Sequence, residues 1–148
     1  MDAIDRQILA VLQTEGRLTV TELAQRVGLS AAPCHRRLRE LEKAGVIRGY
    51  RALVDGAAVG HGFEVLLAVT IDRETSVAGF ESGLAEIPEV VHAERLFGEP
   101  DYFVRVATAD LDAFQKLRDE RLARLPGVLR LTSTIVMKKI VDNRPLPT

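Results

Sequence analysis

Between Thr19 and Lys43 the chain reads TVTELAQRVGLSAAPCHRRLRELEK, two short amphipathic helices separated by one glycine. Thr19 and Thr21 are cap candidates for the first helix, and Glu22 stands three residues after Thr19 in the capping-box position. Leu23, Ala24 and Val27 supply its apolar side, and Gly28 ends it where positive φ is wanted. Leu29 fills the turn. Ser30 is an expected N-cap for the second helix, whose first turn tolerates Pro33 because no intrahelical donor is lost there. Along that helix Cys34, Leu38 and Leu41 are spaced four and three apart and so share one face. At about 100° per residue, Ala32, Arg36, Arg39 and Lys43 fall opposite them, with His35 and Arg37 on the flanks.

This pair has two companions. Ile4, Ile8, Leu9 and Leu12 predict an earlier helix, capped by Asp2 and ended by Gly16. Val46 to Leu53 reads as a strand carrying Arg48 and Arg51. Three helices followed by a strand predict a winged helix-turn-helix over residues 1–53. A helix locked to its own fold by one rim can place the other in the major groove of double-stranded DNA. The small Ala31 and Ala32 permit close approach to base edges, and the arginines reach guanine edges or phosphates. The candidate DNA contacts are therefore Thr19, Ser30, Ala32, His35, Arg36, Arg37, Arg39, Arg48 and Arg51. An isolated run of arginines ordinarily means a solvated helix face; the preceding helix, the glycine and the cap favour the DNA reading.

Charge distribution agrees. The whole chain of 148 residues has a net charge of −1. Residues 28–51 nevertheless hold six Lys/Arg against two acids, a local +4, while residues 61–148 hold eleven against fourteen, −3. A basic patch on an otherwise acidic chain is an electrostatic footprint for nucleic acid. Hydrophobic residues at 47% and aromatics at 5% describe an aliphatic core. No apolar run is long enough to span a membrane, and the acidic N-terminus is unlike a signal peptide. One cysteine builds no disulfide framework, so a reducing cytoplasm is expected, and Cys34 reads as a small core residue. His35, His61 and His92 are scattered, and no metal site or cofactor is expected.

From residue 64 the periodicity changes. Residues 64–72 form an aliphatic, β-branched run, hence a strand. Val77, Phe80, Leu84 and Ile87 follow at helical spacing. Residues 90–97 and 102–108 are strands around a turn at Gly98–Asp101. Asp110 caps a helix bearing Leu111, Phe114, Leu117, Leu122 and Leu125, and residues 128–137 form the last strand. LAEIPEVV at 84–91 returns as LARLPGVL at 122–129, an offset of 38 residues that also lays 64–72 on 102–110. Two βαβ copies predict a ferredoxin-like βαββαβ domain, an antiparallel sheet with both helices on one face, making the chain α+β overall. On the first strand Val65, Leu67, Val69 and Ile71 share one side and Leu66, Ala68 and Thr70 the other. That second, largely apolar side calls for a cover, most simply a second copy in a two-fold dimer. Residues 54–63, rich in Gly and Ala, are the expected hinge, and residues 64–148 the second domain.

Taken together, IDRQILAVLQTEGRLTVTELAQRVGLS, APCHRRLRELEKAGVIRGYRALVD, GEPDYFVRV and LPGV followed by TSTIVM resemble the Lrp/AsnC (leucine-responsive, feast/famine) family of transcription regulators over nearly the full length. The resemblance implies a cytoplasmic, nucleoid-associated regulator and no enzyme. It implies homodimers assembling further, often to octamers, and an amino-acid effector held between dimers. It places effector contacts at Gly98, Glu99, Pro100, Asp101 and Tyr102 and at Thr134, Ile135 and Val136. A glycine turn can offer N–H groups to a carboxylate, and Asp101 is placed to take an α-ammonium. A plain hairpin turn remains the alternative there, and with it a ligand-independent architectural DNA-binding protein. Two other functions fit these residues less well. Some haem-pathway decarboxylases resemble the same architecture, but they need gathered histidines and arginines where this half has only His61 and His92. An RNA-binding sheet needs stacked aromatics on its central strands, and Tyr102 and Phe103 point to opposite faces.

Overall fold

The computed structural model describes residues 1–72, 74 and 77–148. The chain divides into two compact units, Met1–Leu53 with Ile140–Thr148, and Val54–Lys139.

The first unit is helical. Helices α1 (Ala3–Thr14), α2 (Val20–Arg26) and α3 (Ala31–Lys43) enclose a core of Ile8, Leu23, Ala24, Val27, Cys34 and Leu41. Asp2 caps α1 in a capping box with Asp5, and Thr19 caps α2 in a second box with Glu22. Gly28 adopts φ +69°, so the turn into α3 uses the left-handed conformation that glycine takes without a Cβ penalty. Ser30 has the extended backbone of an N-cap, but its hydroxyl caps nothing. Pro33 explains part of this: it occupies the N3 position and has no N–H to offer a cap. The strand expected over residues 46–53 is not formed. A strand exists only when a neighbour takes its hydrogen bonds, and among the described residues this unit contains no other strand. Val46, Tyr50 and Leu53 are left exposed.

The second unit is a four-stranded antiparallel sheet in the order β2-β3-β1-β4, with β1 (Phe63–Ile71), β2 (Val90–Arg95), β3 (Tyr102–Thr108) and β4 (Val128–Ile135). Helices α4 (Val77–Ala85) and α5 (Leu111–Glu120) complete the βαββαβ order. The repeat explains the symmetry. β1 and β3, the first strands of the two copies, pair at the centre from Phe63 opposite Thr108 to Val69 opposite Tyr102. The second strands take the edges. Leu84 and Leu122, equivalent in the repeat, are both buried in one core with Phe80, Phe114 and the inner residues of β1 and β3. The helix expected to run on to Leu125 instead stops at Glu120 and resumes as a 3-10 turn over Leu122–Arg124. Residues 54–63 belong to this unit and contain a 3-10 turn at Ala57–Val59. Residues 140–148, expected within the second domain, lie with the first unit.

Candidate nucleic-acid interface and effector region

The third helix separates its side chains as the periodicity requires. Cys34 is fully buried and Leu41 nearly so, while Ala32, His35, Arg36, Arg39 and Lys43 are exposed. Burial pushes the Cys34 thiol pKa up, which keeps it a neutral packing group. Among the described residues Arg36 and Arg39 enter no ion pair, so two guanidiniums one turn apart stand free on the face opposite the core. Arg48 and Arg51 are also exposed on the irregular segment after α3.

Arg37 differs from them in having partners within the fold. Its Nη1 lies 2.8 Å from both Asp2 Oδ2 and Asp5 Oδ1. The carboxylates of Asp5 and Asp2 hold the guanidinium pKa above its ordinary value, and the Asp2 carboxyl is held low by the Asp5 N–H and then by Arg37. Arg37 is thus a strut from α3 to the N-terminus of α1. A phosphate would have to compete with two carboxylates for it. Thr19 is committed in a similar way: its hydroxyl donates to Glu22 Oε2 at 2.8 Å and accepts from Glu22 N–H at 3.2 Å. Ser30, with no capping bond and an exposed position, keeps its hydroxyl available.

In the second unit, the turn between β2 and β3 borders a cleft of about 540 Å³ lined by Val77, Phe97, Gly98, Glu99, Asp101 and Tyr102, among others. Gly98 sits at φ +143°, and Phe97 is fully exposed beside it. Asp101 is 7% exposed and its Oδ2 accepts the Ile71 N–H at 2.9 Å. One carboxylate oxygen therefore fastens the end of β1. Tyr102 is 3% exposed, with its ring 4.7 Å from that of Phe80 and its phenol donating to Glu81 at 2.8 Å. Arg95 also pairs with Glu81, so that carboxyl is held low first by Tyr102 and then by Arg95. The Tyr102 hydroxyl proton is thus engaged within the fold, while the residue still borders the cleft.

The other half of the expected effector region is elsewhere. Thr134 and Ile135 on β4 pair with Leu66 and Val65, and Val136 N–H donates to Glu64 O. Tyr102 pairs with Val69 on the opposite side of β1. The two halves are thus one intervening strand apart and three residues, about 10 Å, apart along it. A single chain does not bring them together.

No group of three His, Cys, Asp or Glu among the described residues is placed to hold a metal ion. His61 Nδ1 faces the Ala107 carbonyl at 3.3 Å, and His92 pairs with Glu94 at 3.1 Å. Among the described residues no helix is long and apolar enough to cross a membrane. On the sheet face away from the helices, Phe103 is 37% exposed, and its neighbour Tyr102 is in the core.

The winged helix-turn-helix DNA-binding family matches residues 1–48, and the Lrp/AsnC ligand binding domain family matches residues 64–146. The chain is 38% identical to the leucine-responsive regulatory protein of Rhizobium meliloti, over 96% of this chain and 92% of that one. It is 35% identical to the Bkd operon transcriptional regulator of Pseudomonas aeruginosa, over 95% and 94%. Its fold superposes with a TM-score of 0.94 on a Neisseria meningitidis transcriptional regulator solved as an L-Met complex, at 38% identity over 99% of this chain and 96% of that one. With a helix-turn-helix that leaves Arg36 and Arg39 free, a βαββαβ unit following it in the chain and these relatives across both, the chain belongs to the Lrp/AsnC family of DNA-binding transcriptional regulators.

Proposed function

We propose that α3 enters the major groove of operator DNA with Arg36 and Arg39 as its principal contacts, and that an amino acid bound near Gly98–Asp101 sets how copies of the chain assemble. The observation that carries the DNA half is the free cationic face of α3 opposite its buried Cys34 and Leu41. The L-Met complex of the Neisseria relative supports an amino acid as the effector class. The separation of Thr134 from the turn supports a site completed between copies, because a small ligand cannot touch both within one chain. In this reading two-fold pairing through the outer sheet face presents two α3 helices to a palindromic site. Higher assembly, to an octamer or a related form, follows from contacts at the turn. The protein works in the cytoplasm on the nucleoid, without a resident cofactor and without enzymatic activity.

A ligand shifts assembly only by binding one state better than another. The test has two arms. In gel-shift titrations Arg36→Ala and Arg39→Ala are each expected to weaken DNA binding. Where the arginine holds a phosphate, its removal lowers the slope of affinity against salt by about 0.9; where it reads a base, the cost is roughly 1–3 kcal/mol. Circular dichroism should show both variants folded. Full affinity in both would remove α3 from the interface. In the second arm, thermal shift and size-exclusion chromatography are run against the proteinogenic amino acids. An effector at about 100 times its Kd adds about 2.7 kcal/mol. If none alters melting or elution, the ligand-independent architectural reading takes over.

A further inference from the structure

The sheet ends at Ile135, but the chain then returns to the helical unit through Ile140–Thr148. Its principal contact is made by the Gln13 side chain. Gln13, at the C-terminal end of α1, accepts the Leu146 N–H on Oε1 at 2.7 Å and donates from Nε2 to the Leu146 carbonyl at 3.1 Å. A carboxamide that pairs with both the donor and the acceptor of one residue reproduces the bonds a neighbouring β-strand would make. It grips main chain and is indifferent to the side chain between. The Thr148 hydroxyl adds a bond to the Arg6 carbonyl at 3.3 Å, so the segment runs back along α1. Leu9, Leu12, Val46 and Ile47 line the groove beside it.

We propose that this groove, between α1 and the segment after α3, is a peptide-docking site. Its occupant is the chain's own Ile140–Thr148, held by Gln13, so that the DNA-binding unit is tethered at two points of the chain instead of one. The inference is independent of any effector. Leu146 remains 74% exposed, so the grip rests on hydrogen bonds that water can replace and not on apolar burial. Docking of this kind is reversible. Its effect passes through α1, which holds the strap at its C-terminal end and holds Arg37 of α3 at the other through Asp2 and Asp5.

Amide hydrogen exchange of the full chain tests the docking directly. The Leu146 amide should exchange about tenfold more slowly than an unstructured amide, the protection one ordinary hydrogen bond confers. In Gln13→Ala, which keeps helix propensity, that protection should vanish while the amides of α2 and α3 remain protected. A Leu146 amide that exchanges at the unstructured rate in the unmodified chain, or equally in both proteins, would overturn the docking. The same-chain assignment is tested by the pair Arg6→Cys with Thr148→Cys, which leaves the Gln13 grip intact, under mild oxidation. A disulfide within one chain is expected. A disulfide formed only between chains would overturn the assignment of the occupant, and failure to cross-link at all would count against the groove.

Discussion

At the scale of single residues, three neighbouring arginines have different work. Arg36 and Arg39 were legible because one helical turn separates them and both lie opposite Cys34 and Leu41. Arg37 was not, because its partners Asp2 and Asp5 are more than thirty residues away and no local period points to them. The same blindness applied to Tyr102 and Asp101. A resemblance places them at a ligand turn, and nothing local in the sequence shows that they also bond to Glu81 and to the Ile71 N–H within the fold. The arginines can be told apart by experiment. Arg37→Ala frees two carboxylates that α3 now neutralises, so its first effect is expected on the melting temperature of the helical unit. The slope of DNA affinity against salt should stay as in the parent chain, since a guanidinium held by two carboxylates neutralises no phosphate. Equilibrium binding over a salt series beside thermal melts separates the cases. A reduced slope with unchanged melting would return Arg37 to the DNA surface.

At the scale of elements, caps and glycines did most of the reading. Asp2, Thr19 and Gly28 mark the helix ends where the sequence placed them, because each acts within four residues of its target. The element that failed, the strand over residues 46–53, depends on a partner that sequence periodicity cannot supply. The caps carry a pH signature. The Asp2 carboxyl is held low by the Asp5 N–H and Arg37, and the Glu22 carboxyl by the Thr19 N–H and then its hydroxyl. Each therefore titrates lower in the folded chain than its ordinary values of 3.8 and 4.5. Between the two values the unfolded chain binds more protons, so stability rises with pH there. The stabilisation is complete above the ordinary values and is lost as pH falls through the folded ones. Melts followed by circular dichroism should thus be flat from neutrality to about pH 5 and decline below it. The decline should be shallower in the double variant Asp2→Asn with Glu22→Gln, where the caps remain but the titrating charges do not. An identical decline in both proteins would assign the acid sensitivity to other carboxylates.

At the scale of the whole molecule, the repeat made the second unit readable, since two βαβ copies admit few arrangements and the 38-residue offset fixes which strands are equivalent. The destination of residues 140–148 was not readable, because Gln13 and Leu146 are 133 positions apart and an amide gripping main chain leaves no pattern in the side chains. The outer sheet face is the other feature of this unit that the alternation of residues along β1 exposes. Ala68 lies at its centre, opposite Phe103 on β3 and Thr132 on β4, with Leu66 on the same side of β1. Glu64 and Arg105 pair at its margin at 3.1 Å. An apolar middle with a charged rim is the layout of a specific interface, and both helices of the unit pack on the other side, which leaves this one uncovered within a single chain. Ala68→Arg puts a guanidinium into that middle with no carboxylate directly opposite in either neighbouring strand. If copies pair here, the two-fold axis sets the new charges close to each other and unpaired, at a cost of several kcal/mol. A dissociation constant near 1 nM would then move to the micromolar range at a cost of about 4 kcal/mol. Sedimentation at micromolar concentration should find the parent chain associated and the variant monomeric. DNA affinity should fall with it, although no DNA-facing residue has changed, because one α3 helix would then bind without its twin. A variant that sediments as the parent does would exclude this face as the pairing surface.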